Sequence, residues 1–509
     1  MTTSGAAPPA LRYKEAAGRW VLLATVLGSG LTFIDATVVN IALPDIGRSL
    51  GASTAALQWT VNGYTLSLAA LILLGGSLGD RFGRRRLFLV GVTWFALASL
   101  LCAVSPTVEV LVAARLLQGV GGALLTPGAL AILEASFHPD DRARAIGAWS
   151  GLAGVAGAFG PFLGGWLVEL ASWRLIFLIN VPVALVVWVV AARHVPETRD
   201  PTVQGKLDVA GAVLGALGLA GLTYGFTAWP DQGPGSAVVL GSLGLGVAGM
   251  VGFVLTERRS AHPMLPLSIF GSRAFTATNL VTFAVYAALG GVFFLVVLNL
   301  QVVSGFPPLE AGIALLPVTV LMLLLSARAG ALSQRIGPRI PMTVGPLVCA
   351  GALVLLSRIG PDASYLGDVL PPVILLGLGL STTVAPLTAT ALGSVADRHA
   401  GIASGVNNAV ARAAGLLAVA VLPLAAGLGT GSLTDPVALE PAYHAAMLIC
   451  AGLLVVGALI AVIWVPSRLA KRPPEPEASP VRVHCAVAGT PLHPNAGSGS
   501  ATAPENGRS

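Results

Sequence analysis

Long apolar runs separated by short polar turns set the pattern of this chain. They fall at about 20 to 43, 57 to 78, 87 to 105, 108 to 133, 144 to 169, 175 to 192, 207 to 228, 236 to 256, 275 to 300, 311 to 333, 340 to 358, 368 to 392, 400 to 427 and 442 to 465. Each is near the ~20 residues that carry a helix across a hydrocarbon layer of ~30 Å, so the pattern predicts fourteen membrane-spanning helices. The runs are not uniformly apolar. In the first, Thr25, Gly28, Ser29, Thr32, Asp35 and Asn40 share one broad face at ~100° per residue, with leucines and valines filling much of the rest. That face is expected to turn away from lipid.

The charged residues give the runs a sidedness. Loops joining odd to even runs carry only Arg48, Arg174 and Arg358; the other side carries Arg81, Arg84 to Arg86, Arg142, Arg144, Arg193, Arg199, Lys206, Arg258, Arg259, Arg273, Arg335, Arg339 and Arg398. Cytoplasmic loops concentrate Lys and Arg, which predicts both termini inside and an even number of spans. Residues 1 to 19 are polar, and the run after them is too long for a signal-peptide core, so the first helix is expected to be retained. From Pro473 onward Pro, Ala, Ser and Gly predominate, as in a disordered tail.

Composition narrows the function class. A chain of 509 residues that is 55% hydrophobic and 10% charged is a polytopic membrane protein. Its net charge of +6 is dispersed over short loops, which excludes a nucleic-acid surface. Four cysteines are too few and too scattered for a disulfide framework. The sequence offers no phosphate-binding loop, no His/Cys metal cluster and no nucleophile-base spacing, so neither an enzyme nor a metal site is expected, and no cofactor.

An internal repeat organises the spans. Gly76, Arg81, Gly83 and Arg85 of GSLGDRFGRRR correspond to Gly330, Arg335, Gly337 and Arg339 of GALSQRIGPR, an offset of about 254 residues from Arg81 to Arg335. Asp141-Arg142 repeats as Asp397-Arg398 at about 256. Two similar offsets predict duplicated six-helix halves, 20–192 and 275–466. A linker, 193–274, holds two extra spans, with a cytoplasmic segment 1–19 before the halves and the tail 467–509 after them.

Candidate chemistry lies where charge meets the membrane. A carboxylate there costs at least ~2.5 kcal/mol and marks proton or ligand handling. Asp35 and Arg115 each fall about eight residues from the outer end of their runs, roughly 12 Å deep at 1.5 Å per residue. Equal depth makes a pair feasible. Two readings stand: Asp35 exchanges a proton while Arg115 favours its charged form, or the two merely neutralise each other. Arg115, Gln118, Gly119, Gly122 and Thr126 share one helical face directed at the bundle.

Gly76 and Gly83 suit a close approach and a tight turn, and Asp80 is expected near the N-terminus of an opposing helix. Gln334 replaces the acid in the second copy. In the fifth run Pro161 removes a backbone donor among closely spaced glycines. Thr32, Gln118, Tyr286, Asn299, Asn407, Asn408 and Arg412 are candidates for a substrate cavity. Arg412, near midplane without an evident acid, leaves cationic, neutral and weakly anionic substrates open.

The chain resembles the fourteen-span drug:proton antiporters of the major facilitator superfamily. The resemblance rests on FIDATVVNIALPDIG (33–47), LQWTVNGYTLSLAALILLGGSLGDRFGRRR (57–86), ARLLQGVGGALLTP (114–127), GPFLGG (160–165), SWRLIFLINVP (172–182) and GIASGVNNAVARAAG (401–415). It implies an all-α fold of two six-helix halves plus two inserted helices. It also implies proton-driven export of hydrophobic compounds across a bacterial cytoplasmic membrane, by a monomer whose partners are a small molecule and the bilayer. Asp80, Arg81, Arg84 and Arg85 would then stabilise one access state, and Gly160, Pro161, Gly164 and Gly165 would mark an exporter. A carrier of a peptide, lipid or nutrient is the alternative, and a membrane-embedded sensor or enzyme a distant third.

Overall fold

Inside a bilayer every backbone N–H and C=O must find its partner within the segment, so the apolar runs have only the helix available to them. The computed structural model describes residues 11–199, 208–260, 263–395, 400–428 and 433–467. The helices are α1 (Ala16–Leu50), α2 (Thr54–Phe82), α3 (Arg84–Ala103), α4 (Val108–Ser136), α5 (Pro139–Leu170), α6 (Leu175–His194), α7 (Val209–Gln232), α8 (Ala237–Arg259), α9 (Arg273–Val302), α10 (Pro308–Ile336), α11 (Arg339–Leu356), α12 (Tyr365–Gly393), α13 (Ala400–Ala425) and α14 (Pro436–Trp464). Among the described residues, thirteen helices are long and apolar enough to cross a membrane. The helix outside that count is α5, 32 residues long, whose apolar side chains are interleaved with glycines. Lys206, Asp397, Arg398 and the tail from residue 468 lie outside the described residues.

The helix pairings repeat. In the first six helices α1 packs on α5 and α6, α4 on α2 and α3, and α3 on α6; α9 to α14 reproduce all five pairings in the same order. The turns that carry the sequence repeat also match, since Gly83 (φ 112°) and Gly337 (φ 86°) both take a left-handed backbone that side chains resist. Two contacts that join the sets, α5 with α10 and α2 with α13, are related by the same repeat, and α1 also meets α9. The inserted α7 and α8 pack on each other, and α7 reaches α2 and α13.

The buried apolar residues are distributed unevenly between the two ends. One large cluster joins Val38 to Ile46 and Leu57 of the first set to α9, α10, α11, α12 and α14. Its members from the first set all lie toward the end opposite the α2–α3 turn. At the arginine-rich end, Phe88, Phe137 and Val195 belong to a cluster confined to the first set, and Phe275, Ala403 and Val406 to one confined to the second. Polar bonds follow the same division. Gln58 Nε2 donates to the Val419 carbonyl (2.8 Å), Gln301 Nε2 to the Ile41 carbonyl (3.0 Å) and the Leu309 N–H to Glu169 (2.8 Å), all away from that turn.

Candidate functional site

Polar groups from four helices surround Asp35 of α1. On α4, Arg115 and Gln118 are three residues apart and so share a face; α1 presents Asp35 to it, α3 Ser99, α6 Asn180, and α2 the Thr60 carbonyl. Arg115 Nη1 donates to Asp35 Oδ2 and, at 2.6 Å, to Gln118 Oε1, while its Nε donates to the Thr60 carbonyl at 3.0 Å. The second carboxylate oxygen accepts from Gln118 Nε2 (2.8 Å) and Asn180 Nδ2 (3.1 Å). Ser99 Oγ accepts from Gln118 at 2.8 Å and Asn180 at 3.4 Å. The Arg115 guanidinium lies 4.5 Å from the Tyr64 ring centroid, and Tyr64 donates its hydroxyl proton to the Thr32 carbonyl (3.3 Å).

No water reaches this group in the conformer described. Asp35, Gln118 and Ser99 are fully buried, and Arg115, Tyr64 and Asn180 are at most 2% exposed. Charge-assisted bonds at such depth are strong because the surroundings screen them little. Of the network, Asp35, Arg115 and Gln118 are legible as candidates in the sequence. Asn180, Ser99, Thr60 and Tyr64 are not, although an isolated asparagine in the apolar LIFLINVP is a signal for the first of them.

The expected cavity residues separate. Thr32 and Gln118 are buried in the first set. Asn299, fully buried, donates instead to the Ile359 carbonyl (3.2 Å), which places it in a loop contact. Asn407 accepts from Thr282 (2.8 Å) in the α9–α13 contact. Tyr286 and Arg412 are part-exposed and Asn408 is exposed, so these three retain an open surface.

At the α2–α3 turn, Asp80 pairs with Arg84 one turn on (2.8 Å). Arg84 also donates to the Ala131 carbonyl (3.2 Å), and the Arg81 guanidinium lies 5.7 Å from the Phe82 ring. Glu197, unassigned from sequence, takes the N-terminal position at α3: it accepts from the Arg85 N–H (3.2 Å) and lies 3.9 and 3.7 Å from the Arg85 and Arg86 side chains. The close approach expected of Gly76 belongs to Gly75, where an added Cβ would sit 2.1 Å from the Ala123 carbonyl oxygen; at Gly76 it would meet only Pro127, at 3.6 Å.

GPFLGG lies between the two sets. A Cβ at Gly160 or Gly164 would collide with Thr37 or Val38 of α1, and one at Gly165 would stand 2.5 Å from the Leu309 Cα of α10. In return, a Cβ at Gly312 of α10 would stand 2.4 Å from the Pro161 carbonyl oxygen. At Gly165 and Gly312, α5 and α10 therefore meet backbone to backbone, whereas α5 meets α1 first through the Thr37 and Val38 side chains.

Residues 25–419 match the family model described as Major Facilitator Superfamily. The chain is 38% identical to a tetracenomycin C resistance and export protein of Streptomyces glaucescens, over 79% of its own length and 74% of the relative's. It is 36% identical to a puromycin resistance protein of Streptomyces alboniger, over 88% and 92% respectively. With a multidrug resistance protein of Mycobacterium tuberculosis it shares 34% identity over 79% and 74%. Among solved structures it is similar to a bacterial homologue of the human lysosomal transporter Spinster, in an inward-facing and unoccupied conformation (TM-score 0.65, 19% identity, 90% of this chain and 100% of that one).

Proposed function

Because the chain belongs to the major facilitator superfamily, we propose that it is a proton-driven exporter of small hydrophobic or amphipathic compounds, of the kind its antibiotic-resistance relatives are named for. On this reading it is a fourteen-span monomer of the bacterial cytoplasmic membrane, with both termini in the cytoplasm. It uses no cofactor besides the proton gradient, and its partners are the transported solute and the bilayer. The observation that carries the reading is the buried Asp35 network, confined to the first six helices and holding one carboxylate against one guanidinium.

The cycle follows from that placement. Protonating Asp35 removes one charge of the pair, leaves Arg115 to Tyr64 and the Thr60 carbonyl, and weakens what holds α1 to α4. The conformer described has the two sets joined away from the arginine-rich turn, which corresponds to access from the cytoplasm. Parting that junction while the opposite end closes exposes Asp35 to the outer proton reservoir, and the backbone contact of α5 with α10 allows the rocking. One charge crossing 100 mV supplies about 2.3 kcal/mol, enough for a gradient of about fifty-fold in a neutral solute.

Inverted vesicles with an acid interior test the reading. They should accumulate puromycin, tetracenomycin C or another compound of a hydrophobic antibiotic panel, and lose it when the pH gradient is collapsed. Accumulation of a peptide or nutrient in right-side-out vesicles, with none of the panel in inverted ones, would establish an importer.

A further inference from the structure

The α2–α13 contact holds a cation and an amide for which the proton network has no use. Gln58 and Leu73 mark the α2 face turned to α13, through the bond to the Val419 carbonyl (2.8 Å) and the 3.0 Å separation from a Cβ at Gly405. On α2, Asn62 lies one turn from Gln58 on that stripe. On α13, Arg412 is seven residues from both Gly405 and Val419, two turns each way along the facing stripe. The two thus face the same seam.

Neither is satisfied among the described residues. Asn62 is fully buried, and neither its Nδ2 nor its Oδ1 has a hydrogen-bond partner. Arg412 forms no ion pair among the described residues, and its Nε is buried without an acceptor. The inserted α7 closes the seam's side. Its Gly218, Gly221 and Gly225 pack on α8, so Thr223 and Thr227 lie on the opposite face, buried, each with an unpartnered hydroxyl. The Trp59–Tyr224 contact (6.0 Å between ring centroids) brings this stretch of α7 beside the turn of α2 that carries Asn62. A cation kept at membrane depth without an acid marks a ligand path, and buried polar atoms without partners mark what the ligand must satisfy.

We propose that Arg412 and Asn62 form the recognition site for an oxyanion, a carboxylate or ionised phenol, carried by the transported compound. The site rests on the export reading and names its substrate class. Arg412 supplies the charge from α13, and Asn62 donates through Nδ2 from α2, one group from each six-helix set. An acidic amphiphile bound there bridges the sets. The inserted hairpin supplies hydroxyls to the same ligand, a role for α7 beyond spacing the halves.

Equilibrium binding of 1-naphthoate and of its neutral isostere 1-naphthamide to the purified full chain in phosphatidylcholine nanodiscs tests the proposal without requiring transport. Wild type should prefer the anion by about tenfold or more, as expected of a charge-assisted hydrogen bond. Arg412→Gln should abolish the preference, Arg412→Lys should keep part of it, and Asn62→Leu should weaken naphthoate more than naphthamide. No preference in wild type, or an unchanged one in Arg412→Gln, overturns the proposal. A preference lost only in phosphatidylglycerol discs assigns the site to lipid phosphate and overturns its assignment to a transported solute. Failure of the export reading registers separately, as absent proton-driven accumulation in wild type.

Discussion

Arg115 and Asp35, 80 residues apart in the chain, form a hydrogen-bonded ion pair whose side chains are 1% and 0% exposed. Taking two charges out of water costs several kcal/mol each, and removing one partner of such a pair costs about 3–5 kcal/mol because the other charge is stranded. Arg115→Gln alone should therefore lower the melting temperature. Adding Asp35→Asn should restore most of the loss while proton-driven accumulation stays absent. A double variant that accumulates compound at the wild-type rate would reduce the pair to a structural neutraliser.

The neutral partners of Asp35 give a second expectation. Gln118 and Asn180 both donate to Oδ1, and a hydrogen bond to a charged group contributes about 1.5–3 kcal/mol. Asn180→Leu should slow accumulation at least about tenfold, and Asn180→Gln should recover part of it. Initial rates in proteoliposomes under a fixed pH gradient measure the effect; an Asn180→Leu variant at the wild-type rate would remove α6 from the network.

Close helix contact predicts a contrast between glycines of α5. At Gly165 an added methyl would meet the α10 backbone at 2.5 Å, whereas at Gly147 it meets nothing within 4 Å. Gly165→Ala should cost about 1–3 kcal/mol of the α5–α10 contact and separate those helices, as in other overpacked sites. Gly147→Ala should be close to neutral. Thermal unfolding and spin-label distances between α5 and α10 distinguish the two.

The α2–α3 turn carries its own test. Gly83 combines φ 112° with a Cβ position 2.6 Å from Glu197 Oε1. Gly83→Ala should lower stability by about 1–3 kcal/mol through backbone strain, and by less in a Glu197→Ala background, where no side chain must move. An equal drop in melting temperature in both backgrounds would remove Glu197 from the turn.

Much of this architecture was legible because membrane depth and charge are written locally. Run length forecasts the helices, and equal depth forecasts the meeting of Asp35 with Arg115. The repeated glycines forecast the matching left-handed turns at Gly83 and Gly337. What was not legible depends on packing angle. Gly75 and Gly76 look alike in sequence, and only the crossing of α2 with α4 decides which backbone is approached. Asn299 and Asn180 are both lone asparagines in apolar runs; α9 turns one toward a loop carbonyl while α6 turns the other onto Asp35. Glu197 was missed because its partners, Arg85 and Arg86, belong to a turn more than a hundred positions earlier.

The most direct measurement compares wild type with Asp35→Asn in proteoliposomes, reading uphill accumulation under a pH gradient beside downhill exchange of the same compound. The account predicts that the variant folds and exchanges but accumulates nothing. Undiminished accumulation by Asp35→Asn would contradict it.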